Sequence, residues 1–198
     1  MACSHGFKKI ILIQVIFLFL INCNYTSKKG IEYPKNIPSL EDSDIICRLG
    51  NGYFSNYFRE YASKEKVYSH IGIIVIENKI PYVYHSEASE LTGIGGVKKE
   101  KLIEFLDGIK TYSFYKLNLP EEDKKRIILE ANKYLQKSVK FDLELRNDDS
   151  ELYCTEFVAN CINNGSMKKL IQPSLNFRNN LIFSLDDIYK NKIVLPKK

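Results

Sequence analysis

The sequence predicts an α+β fold in which an antiparallel sheet packs against helices. Three observations carry that prediction. Short β-branched or alternating runs cluster between Asp44 and Leu117, and the strongest helical segments flank them. A hydrophobic content of 44% over 198 residues supplies one full core and is too little chain for three domains. With 13 Tyr, 11 Phe, 10 Gly and 6 Pro, the composition excludes a disordered or collagen-like chain.

The elements follow in order. Asp44 to Arg48 is a β-branched strand closed by Gly50-Asn51-Gly52. Tyr53, Phe54, Tyr57, Phe58 and Tyr61 recur at helical spacing, giving an aromatic-faced helix to about Lys64 whose role is core packing. Val67 to Ile76 is a nearly continuous apolar strand, and Pro81 to Glu87 is a second. Lys99 to Leu106 reads as a short helix and Thr111 to Leu117 as another strand. Pro120 followed by Glu121, Glu122 and Asp123 opens a helix to about Lys137, since proline fits the first turn and the acids complement the dipole. Leu152 to Ile162 is the last clear helix.

The first residues stand apart from the fold. Lys8 and Lys9 precede an apolar run from Ile10 to Ile21, which makes about 18 Å of helix, short of the roughly 30 Å hydrocarbon core of a bilayer. Residues 1–22 therefore read as a signal peptide and the chain as exported to the cell envelope. Leu20-Ile21-Asn22-Cys23 resembles a bacterial lipobox, with Asn22 in place of the usual small residue, so Cys23 is the expected lipidation site and the membrane a partner through that anchor. Residues 23–42, with Pro34 and Pro38, read as a tether, and 43–198 as the domain. The formal charge of +5 falls to +3 without residues 1–22, and no basic cluster is interleaved with aromatics, so nucleic acid is excluded as a partner.

Few residues are available for chemistry. With Cys3 in the signal and Cys23 lipidated, Cys47, Cys154 and Cys161 remain, and at least one must stay unpaired within the chain. With His5 in the signal, only His70 and His85 remain. A hairpin centred on Asn78-Lys79 sets His70 opposite Glu87 and His85 opposite Gly72, placing His70, His85 and Glu87 on one face. Opposite Cβ atoms lie roughly 4.5–5.5 Å apart, close enough for a carboxylate to hold an imidazole nitrogen. Cys154 begins a helix, where unpaired N–H groups and the dipole favour thiolate. Cys161, two turns inward, and Cys47, in a strand, are expected to be core fillers. Glu156 is expected to cap or pair at the helix start. The ligand types His70, His85 and Cys154 suit zinc, but without a close-spaced ligand pair no metal and no cofactor is expected.

Together, Asp44-Ile45-Ile46, Tyr68-Ser69-His70-Ile71-Gly72-Ile73, Ser86-Glu87-Ala88, Phe141-Asp142 and Tyr153-Cys154-Thr155-Glu156-Phe157-Val158 resemble the circularly permuted papain-like amidases related to NlpC/P60, the YiiX/YaeF type. His preceding Cys is the order of the permuted group. Where that family has glycine before the first-strand aspartate, this chain has Ser43. The resemblance implies a permuted papain-like fold with Cys154 as nucleophile, His70 as base and Glu87 as the orienting third member. Tyr153 and His85 are candidate substrate contacts. The implied activity is cysteine amidase or peptidase-type hydrolysis through an acyl-enzyme, with cell-wall peptides among the implied substrates. Two alternatives remain: a lipid acyl hydrolase or acyltransferase using the same triad, and an inactive ligand-binding envelope lipoprotein.

Overall fold

The computed structural model describes residues 37–146 and 150–197. The expected signal peptide, Cys23 and the expected tether up to residue 36 lie outside the described residues. Among the described residues, no helix is long and apolar enough to cross a membrane.

Six strands form one antiparallel sheet: β1 (Ile45–Arg48), β2 (His70–Glu77), β3 (Ile80–Ala88), β4 (Gly95–Lys101), β5 (Tyr112–Leu117) and β8 (Val194–Pro196), in the order β4-β3-β2-β1-β5-β8. A separate hairpin pairs β6 (Leu175–Phe177) with β7 (Asn180–Ile182). The helices are α1 (Tyr53–Tyr61), α2 (Leu102–Phe105), α3 (Glu121–Gln136), α4 (Cys154–Ser166) and α5 (Leu185–Tyr189). The fold is the α+β arrangement the sequence predicts.

The β2–β3 hairpin has the expected register, with Ile73 opposite Tyr84 and Glu77 opposite Ile80. Asn78 and Lys79 both have positive φ, at 50° and 66°, as a two-residue turn between twisted strands requires. One local expectation fails. Residues 99–101 belong to β4, and only Leu102–Phe105 is helical. Pairing of Gly95–Lys101 along β3 overrides the helical pattern of this lysine-rich stretch, and it moves Lys99, Glu100 and Lys101 onto the sheet.

Side-chain alternation gives the sheet two apolar faces. Ile45, Cys47, Ile71, Ile73 and Tyr84 join the main core with α3 and α4. Ile46, Ile74, Val83 and Phe114 form a second core with Leu102 and Phe105 of α2. In α3, Pro120 stands as N-cap, three acids fill the first turn, and Ile127 and Ala131 are buried. A Cβ on Gly165 would come within 2.6 Å of the Ile127 backbone, so glycine permits the close approach of α3 and α4. Ser43, where glycine was expected from the resemblance, has φ 69°, in the left-handed region that favours glycine. All three cysteines of the domain are free thiols.

Candidate active site

Four hydrogen bonds fix the start of α4. The Leu152 N–H donates to the Lys140 carbonyl (2.9 Å), and its own carbonyl accepts from the Ser86 hydroxyl (2.6 Å). The Tyr153 hydroxyl accepts from the Phe183 N–H (2.9 Å), and the Thr155 hydroxyl donates to the Phe183 carbonyl (2.7 Å). Ser86 and Phe183 thus clamp Cys154 from β3 and from the segment before α5. The Tyr153 side chain is fully buried and serves this clamp. Glu156 is also fully buried, inside the first turn.

The ladder between β2 and β3 ends at Ile73–Tyr84, two residues short of Ile71. The backbone N–H groups of Ile71, Thr155 and Cys154 lie near the Cys154 sulfur and favour its ionised form. Ile71 N is the amide that follows His70, so the sulfur lies against the peptide carrying the imidazole. Cys154 is only 2% exposed. Burial raises its thiol to about 12; the three N–H groups oppose this, and the Glu87 charge adds to it. The helix start therefore does not produce a resting thiolate, contrary to the sequence expectation, because desolvation outweighs the local field. Burial also pushes Cys47 and Cys161 well up, and both are fully buried, as core fillers should be.

The imidazoles occupy the opposite face of the sheet. His70 and His85 pack on the Phe105 ring, at centroid separations of 5.7 and 5.0 Å, and the Arg48 guanidinium lies 4.0 Å over the same ring. Strand alternation places this group with the second core, and the thiol approaches from the first. Gly72 makes room for the pair, since a Cβ there would lie 3.2 Å from His85 Cβ and 2.4 Å from a Val83 methyl.

Glu87 does not make the hydrogen bond expected of it. Its carboxylate is 3.9 Å from His70 Nε2, beyond hydrogen-bond reach, and is bonded instead by Arg48 and by Lys98 at 2.8 Å. Burial opposes its ionisation, but the charges of His70, Arg48 and His85 and the Lys98 bond hold it well below the usual carboxylate range. His70 Nε2 lies 2.7 Å from His85 Nδ1, and His85 Nε2 lies 3.1 Å from Glu100 Oε1. The group orienting His70 is therefore His85. Burial lowers the affinity of both imidazoles for a proton, well below the ordinary value at His70, where Glu87 partly compensates and Arg48 adds to the effect; at His85 the nearby Glu100 carboxylate partly compensates.

Arg48, Lys98 and Glu100 escaped the sequence reading. A β3–β4 register would have found the last two, because Lys98 pairs with His85 and Glu100 with Val83. Ligand atoms of His70, His85 and Glu87 lie within 4.8 Å of one another, close enough to suggest a metal. The donor chemistry does not fit one. The two imidazole nitrogens that converge are bonded to each other, and two cations already occupy the carboxylate.

A narrow cleft opens at this end of the sheet, lined by Phe54, Phe58, Ser69, His70, Glu87 and Phe141. Glu90 holds its far wall by accepting from the Phe54 N–H at 2.8 Å. A larger groove of about 740 Å³ runs along the other end of α4, past Asn160, Asn163 and Lys168, and contains none of the residues singled out above.

Residues 40–188 match the family model described as permuted papain-like amidase enzyme, YaeF/YiiX, C92 family. No curated protein matches the chain. Among solved structures, the chain is similar to the metalloprotein yiiX from Escherichia coli O157:H7, with 20% identity and a TM-score of 0.64 over 80% of this chain and 96% of that one. At that identity the likeness shows the fold: a permuted papain-like arrangement.

Proposed function

Because this chain belongs to the permuted papain-like amidases of the YaeF/YiiX type, we propose that it is a thiol hydrolase cleaving an amide bond with Cys154 as nucleophile and His70 as base. The observation that carries the reading is the placing of the Cys154 sulfur near the Ile71 N–H, at the peptide that follows His70, beside a cleft that His70 itself lines.

With the thiol near 12 and the imidazole below its ordinary 6.5, the resting pair is a neutral thiol and a neutral imidazole. Proton transfer to His70 then accompanies attack. His70 uses Nε2 for His85, so Nδ1 takes the thiol proton as sulfur bonds to the carbonyl carbon. The carbonyl oxygen becomes an oxyanion, for which the Cys154 N–H at the helix start is a donor. Collapse breaks the C–N bond, and His70 returns the proton to the departing amine. A water, deprotonated by the same nitrogen, then attacks the thioester, releasing the carboxylic acid and restoring the thiol. His85 orients the base. Glu87, tied to Arg48 and Lys98, supplies a fixed negative charge and not a hydrogen bond to the base.

Export and the Cys23 anchor belong to this proposal, since Lys8, Lys9, the short apolar run and the cysteine stand in lipoprotein order. They make envelope peptides the first substrates to test. The phenylalanines that wall the cleft also favour substrates with an apolar group next to the scissile bond, and an acyl lipid is the second reading for that reason.

The test is turnover of muropeptides and of acyl lipids by the wild type, Cys154→Ala and His70→Ala. Loss of turnover in both variants supports the reading. Turnover in Cys154→Ala equal to wild type on every substrate removes it. Mass spectrometry of the mature protein tests the anchor separately: an unmodified chain that starts anywhere but Cys23 refutes it.

A further inference from the structure

The cleft that His70 lines is too small for a substrate. Its open volume is about 20 Å³, room for about one water molecule, so an amide with its substituents does not fit beside the imidazole. Most of its walls are fixed. Phe58 and Phe141 belong to the main core and pack edge to face at 5.5 Å, while His70 and Glu87 are held in the sheet. The buried Ser69 hydroxyl accepts from the Gly50 N–H at 2.9 Å. Glu90 differs from these residues: it is exposed and lies in the loop of residues 89–94 that joins β3 to β4.

That loop is a small unit closed on itself. The Ser89 N–H donates to the Ile94 carbonyl (3.0 Å) and the Gly93 N–H to the Ser89 carbonyl (2.8 Å). On its outer side Leu91 is 96% and Ile94 77% exposed, so neither packs the loop onto the domain. Among the described residues, its hydrogen bonds to the rest of the domain all run through the Glu90 carboxylate. One oxygen accepts from the Phe54 N–H (2.8 Å), the other from the Ser55 N–H (3.3 Å) and the Ser55 hydroxyl (3.4 Å). These donors stand at the start of α1, on the opposite wall of the cleft. Gly52 leaves room for the carboxylate, since a Cβ there would lie 2.1 Å from its carbon. Glu90 also borders a second groove of about 450 Å³, which shares Glu87 and Ala88 with the cleft and runs past Gly95, Gly96 and Val97.

We infer that residues 89–94 form a lid over the candidate active site, that Glu90 is its latch, and that release of Glu90 from α1 joins the cleft to the adjoining groove for a substrate to occupy. The inference takes from the proposed function only that a substrate must reach His70 and Cys154. The latch bonds are exposed, so water can replace them when the lid lifts, and the two internal bonds carry the loop as one piece.

The test is the rate at which iodoacetamide alkylates each cysteine of the native protein, read by peptide mapping, in the wild type, Glu90→Gln and Glu90→Ala. Circular dichroism checks that each variant is folded. Labelling of Cys154 should rise about tenfold in Glu90→Ala and about threefold in Glu90→Gln, because reactivity follows the open fraction. Cys47 and Cys161 should keep their wild-type rates. Glu90→Gln retains the side chain's size and one acceptor, so it carries the test if Glu90→Ala does not fold. A wild-type rate at Cys154 in a folded variant overturns the inference. So does an equal rise at all three cysteines, which is what loss of a merely stabilising helix cap would produce. The readout is access to Cys154 and not turnover, so failure of the thiol mechanism, seen as full activity in Cys154→Ala, is distinguishable from failure of the lid.

Discussion

The two faces of the central sheet carry different chemistry on the same strands. On the α4 side, Ile45, Cys47, Ile71, Ile73 and Tyr84 surround a nucleophile that is buried and neutral. On the α2 side, Arg48, His70, His85, Glu87, Lys98 and Glu100 form a network of charges and imidazoles around one phenylalanine. The two come nearest at the end of β2, where the Ile71 amide lies near the Cys154 sulfur. Strand alternation alone would keep thiol and imidazole apart. The contrast also shows why a helix start is a weak guide to thiolate: three N–H groups point at the Cys154 sulfur, and desolvation still prevails.

The largest effect expected on the apolar face is structural. Phe157→Ala, at a fully buried position in α4, should cost about 3–5 kcal/mol in denaturant unfolding. The imidazole pair across the sheet should keep its hydrogen bond in that variant. Disruption of both together would mean that the faces are not independent.

On the polar face, His85→Ala should reduce kcat about 100-fold, since it removes the hydrogen bond that fixes the base. Glu87→Gln should cost less than His85→Ala. The reverse order in steady-state kinetics would restore Glu87 to the orienting position.

The network was legible in the sequence only as far as one hairpin. The Asn78-Lys79 turn fixes the register that brings His70, His85 and Glu87 to one face, and that register is present. The hydrogen bond itself depends on side-chain reach. A carboxylate flanked by Arg48 and Lys98 is drawn toward those cations, and the second imidazole takes its place. Glu100 was hidden because the lysine-rich stretch reads as helix until β3 offers it a partner. The short elements after α4 were not visible either: β6, β7, α5 and β8 span three to five residues each, too few for periodicity to register.

The faces should also divide the pH dependence of stability. His70 and His85 have folded values below 6.5, so the unfolded chain binds more protons as pH falls through 6.5, and stability should decline there. The depressed Glu87 and Glu100 extend the loss below about pH 4.5. Cys47, Cys154 and Cys161 are raised above 9.0, so stability should also decline as pH rises past 9. Each group contributes at most about 1.4 kcal/mol per pH unit within its window. Chemical denaturation across pH should show the alkaline limb flatten in Cys47→Ala and the acid limb flatten in His85→Asn. Swapped effects would contradict the assignment of the limbs.

The smallest change lies at the turn into β1. Ser43 adopts φ 69°, and its buried hydroxyl has no hydrogen-bond partner among the described residues. Ser43→Gly should stabilise the protein by about 1 kcal/mol, because relief of left-handed strain and of an unsatisfied hydroxyl exceeds the added freedom of the unfolded chain. A loss of stability in thermal unfolding would show that the strain is compensated locally.

The proposed chemistry passes through one covalent bond at one atom. The most direct measurement is the intact mass and peptide map of the protein, acid-quenched during turnover of an amide substrate found in the muropeptide screen. The account predicts an acyl adduct on Cys154, absent from Cys47 and Cys161. Turnover with no adduct on Cys154, together with full activity in Cys154→Ala, would contradict it.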